Sequence, residues 1–353
     1  MAKERVLVAM SGGVDSSVAA AILVDQGYDV TGVTMKLFCY EDDVPDRPCC
    51  SLDSIQDAAA VAAKLGVPHY VLDFEDQFRH DVIDDFVQEY ARGRTPIPCV
   101  RCNTFTKFRD LVRHADNLDC DFIATGHYVN AENGSLFRGA DSNKDQSYFL
   151  WGLDKHVLPR MLTPVGKLTK PETRKTAREL GLVTADKKES VEICFVPDGD
   201  YAAVIEKHLG EDTAALKPGP FKSKSGDTLG EHDGFARYTI GQRKGLPGGF
   251  AEAMYVVAIE PDSRTVVIGT EKDLYGHGAV LTGVNWLADP LNEGDACQIQ
   301  VRYRSKAVPA KVRKVSSDGS VELDLTEPAR AIAPGQSGVL YEGGLVLGGG
   351  ILD

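Results

Sequence analysis

The sequence predicts an α/β protein whose N-terminal half is built on a parallel sheet and whose C-terminal half is β-rich. Three observations carry that expectation. Short apolar runs alternate with helical segments as far as Thr125, a Ser/Gly loop separates the first run from the first helix, and beyond Pro220 turn signals replace helical periodicity. Arg5–Met10 is the first apolar run, and the Ala-rich segment Ser17–Gln26 reads as the helix after it. Asp29–Phe38 reads as a second strand, Ser51–Leu65 as an amphipathic helix stopped by Gly66, His69–Phe74 as a third strand. Gln77–Ala91 is helical in pattern, and Asp121–Thr125 is another buried strand. Strands this apolar, alternating with helices, imply a parallel sheet covered on both faces. Ligands of such sheets bind beyond the carboxyl ends of the strands.

The texture changes to Pro, Gly and Lys around Gly210–Pro220. Turn signals then recur at Ser225-Gly226-Asp227, Pro261-Asp262-Ser263, Ser317-Asp318-Gly319 and Glu342-Gly343-Gly344. Short strands at such spacing predict a small β module followed by a barrel. The expected domains are residues 1–209, a central β-rich domain 210–275 and a C-terminal β-barrel 276–353.

Composition narrows the function classes. The chain has 353 residues, 43% hydrophobic and 26% charged, which excludes a disordered or fibrous protein. No apolar run approaches the ~18–20 residues that span a bilayer, and the N-terminus lacks the features of a signal peptide. A cytoplasmic protein without a membrane partner is expected. With 39 Lys+Arg against 52 Asp+Glu the net charge is −13, so bulk charge does not coat nucleic acid. Acid is concentrated at Glu41-Asp42-Asp43 and Asp81–Glu89. Lys155–Lys188 is rich in Lys and Arg, and Arg302–Lys314 holds six basic residues and no acid. Each reads as a solvated face or as a basic surface for RNA.

Eight cysteines, at 39, 49, 50, 99, 102, 120, 194 and 297, are too irregular for a disulfide framework. Only Cys99 and Cys102 form a C-x-x-C pair, and no second pair completes a four-ligand zinc site. Thr95–Asn103 reads as a Pro-stiffened loop entering a helix near Thr104, where a thiol gains thiolate character. Cys194 follows a basic segment in Ser190-Val191-Glu192-Ile193-Cys194-Phe195.

The sharpest signal is Ser11-Gly12-Gly13-Val14-Asp15-Ser16. Two glycines admit an anion close to the backbone, the next helix offers unpaired N–H groups, and the serines add hydroxyls. Asp15 is a candidate to hold magnesium against a pyrophosphate. The pattern is neither a Walker loop nor G-x-G-x-x-G, which disfavours a nicotinamide enzyme.

This loop resembles the Ser-Gly-Gly-x-Asp-Ser signature of the PP-loop ATP pyrophosphatases, which cleave ATP between its α and β phosphates and adenylate an oxygen. The first domain is then expected to be an adenine nucleotide alpha hydrolase-like, ATP-binding and catalytic fold. The further blocks Thr95–Asn103, Ala124–Tyr128, Lys144–Leu150, Glu192–Phe195, Tyr238–Arg243 and Ala333–Ser337 make the whole chain similar to the tRNA-specific 2-thiouridylase family. An amidating synthetase of the NAD or GMP type is the alternative, but no glutaminase module is visible in the β-rich half.

The resemblance implies specific roles. Ala9, Met10, Ser11, Gly12, Gly13, Val14, Asp15 and Ser16 would cradle the phosphates of ATP, used with Mg2+, while Met35 and Gly126 border the adenosine. Cys102 and Cys194 would be catalytic, as nucleophile and persulfide carrier, and would form a transient disulfide. Ile97, Pro98 and Cys99 would lie against the target base; His127, Lys144, Asp145 and Gln146, with Arg302, Tyr303 and Gln336 of the barrel, would touch tRNA. From the residues alone, Tyr303 between Arg302 and Arg304 suits base stacking or an exposed strand edge equally. The implied partners are the anticodon-loop wobble uridine of a tRNA and a sulfur-relay protein or cysteine desulfurase that supplies persulfide sulfur. Cys99 stands where some relatives have no thiol. Ligation of an iron–sulfur cluster by Cys99, Cys102 and Cys194 stays open there, although no metal site is expected.

Overall fold

The computed structural model describes residues 3–38, 52–188, 193–196 and 199–353. Cys39, Cys49, Cys50, the acidic run 41–43, Ser51 and residues 190–192 of the Cys194 motif lie outside the described residues.

The chain divides into two units. The first, residues 1–82, 99–195 and 344–346, is built on a five-stranded sheet. Its strands begin with β1 (Arg5–Ala9), β2 (Asp29–Lys36), β3 (His69–Asp73) and β4 (Phe122–Ala124). The hairpin β5 (Val129–Glu132) and β6 (Ser135–Arg138) intervenes before β7 (Met161–Leu162). The sheet runs β3-β2-β1-β4-β7, every pair parallel, as the alternating pattern requires. Helix α1 (Val14–Asp25) follows β1, and α2 (Leu52–Leu65) lies between β2 and β3. Val18, Ala19 and Ala20 of α1 are fully buried with Val6 and Val8 of β1, small side chains drawing helix and sheet into close contact. The cover expected on both faces stops short at one edge: Tyr70 and Val71 of β3 are exposed.

Two helical stretches depart from expectation. Residues 75–91 are helical, but Arg79–Ile83 is a π-turn. The helix expected from Thr104 begins earlier, at Pro98, because proline suits the first helical position, where its missing N–H costs nothing. Cys99 and Cys102 are therefore in the helix rather than in a loop before it, and Cys102–Phe108 is itself a π-turn. Arg109–Asn117 completes the run.

The second unit, residues 83–98, 196–343 and 347–353, carries the β-rich modules. β8 (Gly219–Ser223), β9 (Thr228–His232), β10 (Tyr255–Glu260) and β11 (Thr265–Gly269) form a four-stranded sheet in the order β10-β11-β8-β9. β12 (Tyr275–Trp286), β13 (Ala296–Gln300), β14 (Val308–Val315), β15 (Val321–Arg330), β16 (Ser337–Glu342) and β17 (Leu345–Leu352) run β12-β15-β14-β13-β16-β17. Pairing of β12 with β17 closes this ring into a barrel. Closure removes both sheet edges.

The segment 83–98 is fastened to this unit by aromatic and ionic contacts. Phe86, Tyr90 and Tyr201 form one cluster, with the Tyr90 and Tyr201 rings stacked at 5.6 Å. Arg94 donates to Glu89 (2.8 Å), to Asp353 (2.7 Å) and to the Leu352 carbonyl (3.1 Å).

Leu281 sits on the barrel seam, opposite Leu352 on one side and Val321 on the other, with no exposed surface. Leu281→Ala is expected to cost about 3 kcal/mol, within the usual range for buried leucines. Urea unfolding monitored by near-ultraviolet circular dichroism measures it, and a loss below about 1 kcal/mol would remove the seam from the barrel's stabilising core.

Candidate active site

The Ser11–Ser16 loop lies at the carboxyl end of β1, as sheet topology prescribes. Met10 extends the strand, its N–H donating to Val33 O at 2.8 Å, and its own carbonyl accepts from the Thr34 hydroxyl at 2.7 Å. That hydroxyl also meets His69 Nε2 at 2.8 Å. Burial lowers the His69 pKa, which favours the neutral ring there. Gly12 adopts φ +69°, and a Cβ on it would stand 2.0 Å from the Ser54 carbonyl oxygen, so no other residue fits.

Gly13 precedes α1 in an extended conformation and makes no side-chain cap, which leaves first-turn N–H groups to an anion. Ser16 Oγ accepts from the Ser11 N–H at 3.1 Å and lies 3.3 Å from Ser11 Oγ. The two serines thereby close the loop on itself. Val14 and Ser16 are buried. Gly126, just after β4, brings its backbone against this turn: a Cβ there would lie 2.5 Å from Ser16 N. Met35, half-buried in β2, stands opposite Leu72 of β3.

Asp15 is the surprise of the loop. Both its carboxylate oxygens accept from Lys170 Nζ, at 2.7 and 2.8 Å, and one accepts from the Tyr128 hydroxyl at 2.8 Å. A carboxylate so occupied is poorly suited to coordinate magnesium, and among the described residues no cluster of three or more His, Cys, Asp or Glu side chains forms a metal site. The donor set of the loop fits a phosphate chain, while both Asp15 oxygens already have protein partners. Lys170, part of a basic stretch that read as a solvated face or an RNA surface, is buried. Sequence reasoning missed it because its partner lies 155 residues away.

The three cysteines of interest differ in environment. Cys99 is exposed, Cys102 is buried, and Cys194 is half-buried. Segment 78–81 anchors both catalytic candidates. Phe195, next to Cys194, meets Phe78 edge-on with centroids 5.7 Å apart. Arg101, next to Cys102, donates from Nε to the Asp81 carbonyl at 2.7 Å, and Arg109 bonds the Asp81 carboxylate at 2.8 Å. Arg101 and Arg109 also flank the Phe105 ring, at 4.9 and 5.8 Å from its centroid. Wide turns expose a carbonyl that an α-turn would consume, and here one π-turn is clasped to the ends of the other.

His127 meets the Thr125 hydroxyl through Nδ1 at 2.8 Å and tilts against Phe108 at 5.8 Å. Burial, then the nearby Lys107 charge, pushes its pKa down to about 3. Lys144 turns back so that its N–H donates to Asp141 O at 2.9 Å. Asp145 accepts from Arg138 (2.8 Å), from the Gly139 N–H (3.0 Å) and from Ser147. Gln146 brackets the Tyr128 backbone, its Oε1 accepting from the Tyr128 N–H at 2.9 Å and its own N–H donating to Tyr128 O at 3.1 Å.

In the second unit, Pro98 is buried and Ile97 half-buried. Gln336 Nε2 donates to the Thr95 carbonyl at 2.8 Å, and Thr95 N donates to Pro334 O at 2.8 Å, which fixes the approach to Pro98. Arg302 Nη2 donates to Ile240 O at 2.6 Å. Tyr303 carries the Arg304 guanidinium 5.3 Å from its ring centroid, in a turn between β13 and β14 rather than on a strand edge.

A Ser/Gly loop at the carboxyl end of a parallel sheet, leading into a helix N-terminus, defines a nucleotide-binding α/β domain. Residues 4–198 match the family model described as the tRNA methyl transferase HUP domain, 203–270 its PRC-barrel domain, and 277–352 an aminomethyltransferase β-barrel domain. The chain is 45% identical, over 99% of its length and 98% of the relative's, to a tRNA-specific 2-thiouridylase of Carboxydothermus hydrogenoformans. To that of Rickettsia typhi it is 46% identical over 98% of its own length and 97% of the relative's. The chain belongs to the tRNA-specific 2-thiouridylase family.

Two outcomes follow from this geometry. Gly12→Ala places a methyl group into the Ser54 carbonyl and is expected to weaken ATP binding at least ten-fold, as read by calorimetry; unchanged affinity would show that the loop tolerates the shift. His127 stays neutral in the folded state, whereas the unfolded chain takes up a proton below about pH 6.5, so this residue contributes a loss of stability as pH falls from there toward 3. His127→Asn should therefore flatten the acid limb of a stability profile measured between pH 6.5 and 4; an equally steep limb would exclude the histidine as its source.

Proposed function

We propose that this protein thiolates C2 of the wobble uridine in the anticodon loop of tRNA, using ATP. What carries the reading is full-length identity of about 45% to tRNA-specific 2-thiouridylases together with an intact phosphate loop and thiols at Cys102 and Cys194. The family-model descriptions speak of methyl transfer, but a loop built for pyrophosphate and two thiols serve adenylation and sulfur delivery. Among the described residues no helix is long and apolar enough to cross a membrane.

The chemistry needs each part. The C2 oxygen of uridine is a poor leaving group, so it first attacks the α-phosphorus of ATP; pyrophosphate departs into the Ser11–Ser16 loop and the oxygen carries AMP. A persulfide on Cys194, loaded by a sulfur-relay protein or cysteine desulfurase, then attacks C2 through its terminal sulfur and expels AMP. The Cys102 thiolate attacks Cys194 Sγ, the sulfur–sulfur bond to the base breaks, and 2-thiouridine leaves with its electron pair on the new sulfur. The resulting Cys102–Cys194 disulfide is reset by an external dithiol. A target base has to leave its stack to enter such a site.

Ile97, Pro98 and Cys99 are proposed to lie against that base. His127, being neutral, serves as a hydrogen-bonding wall, not as a phosphate-binding cation. Lys144, Asp145, Gln146, Arg302, Tyr303 and Gln336 are proposed to meet the RNA, with Tyr303 and Arg304 offering a stacked pair to an unpaired base. Several of these side chains also hold the protein's own backbone, which presents them in one conformation.

Cys194→Ser is expected to abolish 2-thiouridine, measured by mass analysis of digested tRNA, while tRNA-dependent pyrophosphate release persists. Thiolation at the wild-type rate would overturn the persulfide role. Pyrophosphate release stimulated by ammonia and not by tRNA would overturn the reading altogether and favour an amidating synthetase.

A further inference from the structure

The pairing of Asp15 with Lys170 conflicts with the expectation that a phosphate-loop carboxylate holds the metal. Asp15 is in the first turn of α1, beside the proposed phosphate path, where a bare negative charge would repel ATP. Lys170 Nζ bonds both of its oxygens, and the lysine side chain is only 9% exposed, against 30% for Asp15. Tyr128 adds its hydroxyl to Asp15 and is tied onward to the Thr173 hydroxyl at 3.0 Å.

Lys170 is held as firmly as it holds. It is the first residue of helix Lys170–Glu179, whose start is fixed by a capping box between Thr169 and Glu172. Its own N–H donates to Asp141 at 3.0 Å. Asp141 belongs to the loop that carries Lys144, Asp145 and Gln146, and Gln146 grips the Tyr128 backbone from the same loop. Both donors to Asp15 are thus secured by the segment proposed to meet RNA.

We infer that Asp15 is a charge-compensated structural carboxylate and not a metal ligand, and that Lys170 is a positioning residue that neutralises it so that the loop accepts ATP. This rests on the proposed function only in taking ATP as the nucleotide. Magnesium then arrives on the phosphates of ATP, with water completing its shell.

The test is nucleotide binding by calorimetry without RNA, on the full chain, for wild type, Lys170→Met, Asp15→Asn and the double variant, with Mg2+ titrated in each and melting followed alongside. Lys170→Met is expected to weaken ATP at least ten-fold, since it bares the carboxylate. Asp15→Asn with Lys170→Met should return the affinity to within about three-fold of wild type with an unchanged Mg2+ requirement. Wild-type affinity in Lys170→Met would overturn the inference, as would a double variant no better than that single one, which would mean Lys170 touches phosphate directly. Loss of the Mg2+ requirement in the double variant would restore Asp15 as a metal ligand. If Lys170→Met simply melts, the double variant still decides, because it removes both charges. Thiolation by the wild-type protein is assayed in parallel, so failure of the proposed function is seen separately from failure of this inference.

Discussion

A buried ammonium resting on a carboxylate organises the catalytic unit. Lysine leaves water at high cost and stays charged in a protein interior only when a partner repays that cost. Lys170 finds its partner in Asp15, and satisfying the pair requires α1, the segment after β4 and the helix from Lys170 to converge on one point. The close backbone approach of Gly126 to Ser16 is the steric side of the same convergence. A phosphate loop is a set of N–H vectors, and such a set keeps its aim only if the helix below cannot roll. The backbone of Gly126 against Ser16 supplies that restraint, and the ion pair keeps the carboxylate beside the loop compensated.

Residues that a resemblance marks for RNA turn out to be busy within the protein. Asp145 collects donors from Arg138, Gly139 and Ser147, Gln146 brackets Tyr128, Gln336 carries the Thr95 carbonyl, and Arg302 carries that of Ile240. A side chain already fixed loses little entropy when a ligand arrives, so recognition by such groups favours one geometry of the partner. A substitution in these blocks therefore removes hydrogen bonds that hold the protein's own backbone.

The parallel sheet was legible because its strands are apolar runs of the right length, and the phosphate loop because Ser-Gly-Gly-Val-Asp-Ser has no common structural use. The turn residues between later strands, such as Ser317-Asp318-Gly319 between β14 and β15, announced the β-rich half equally well. The helix start at Pro98 was obscured by two prolines and two cysteines that read as a loop. The π-turns were invisible, since nothing in local propensity separates them from α-helix. Lys170 was hidden for a different reason: a lysine in a basic run is ordinarily solvated, and only the fold reveals a carboxylate waiting for it. Tyr128 shows no role within the block Ala124–Tyr128, because its hydroxyl acquires one only through Asp15.

The π-turn that opens with Cys102 has a bearing on how this chain tolerates change in length. A wide turn accommodates one residue more than an α-turn over the same rise. Deleting one residue between 103 and 108 would remove that surplus and let the helix close to α geometry with its two flanks still in register. Arg101 and Arg109, which stand on either side of the turn, would then keep their aim at Asp81. A deletion in the regular helix that follows would instead rotate one side by about 100° against the other, so this turn is where the helix gives up length most cheaply.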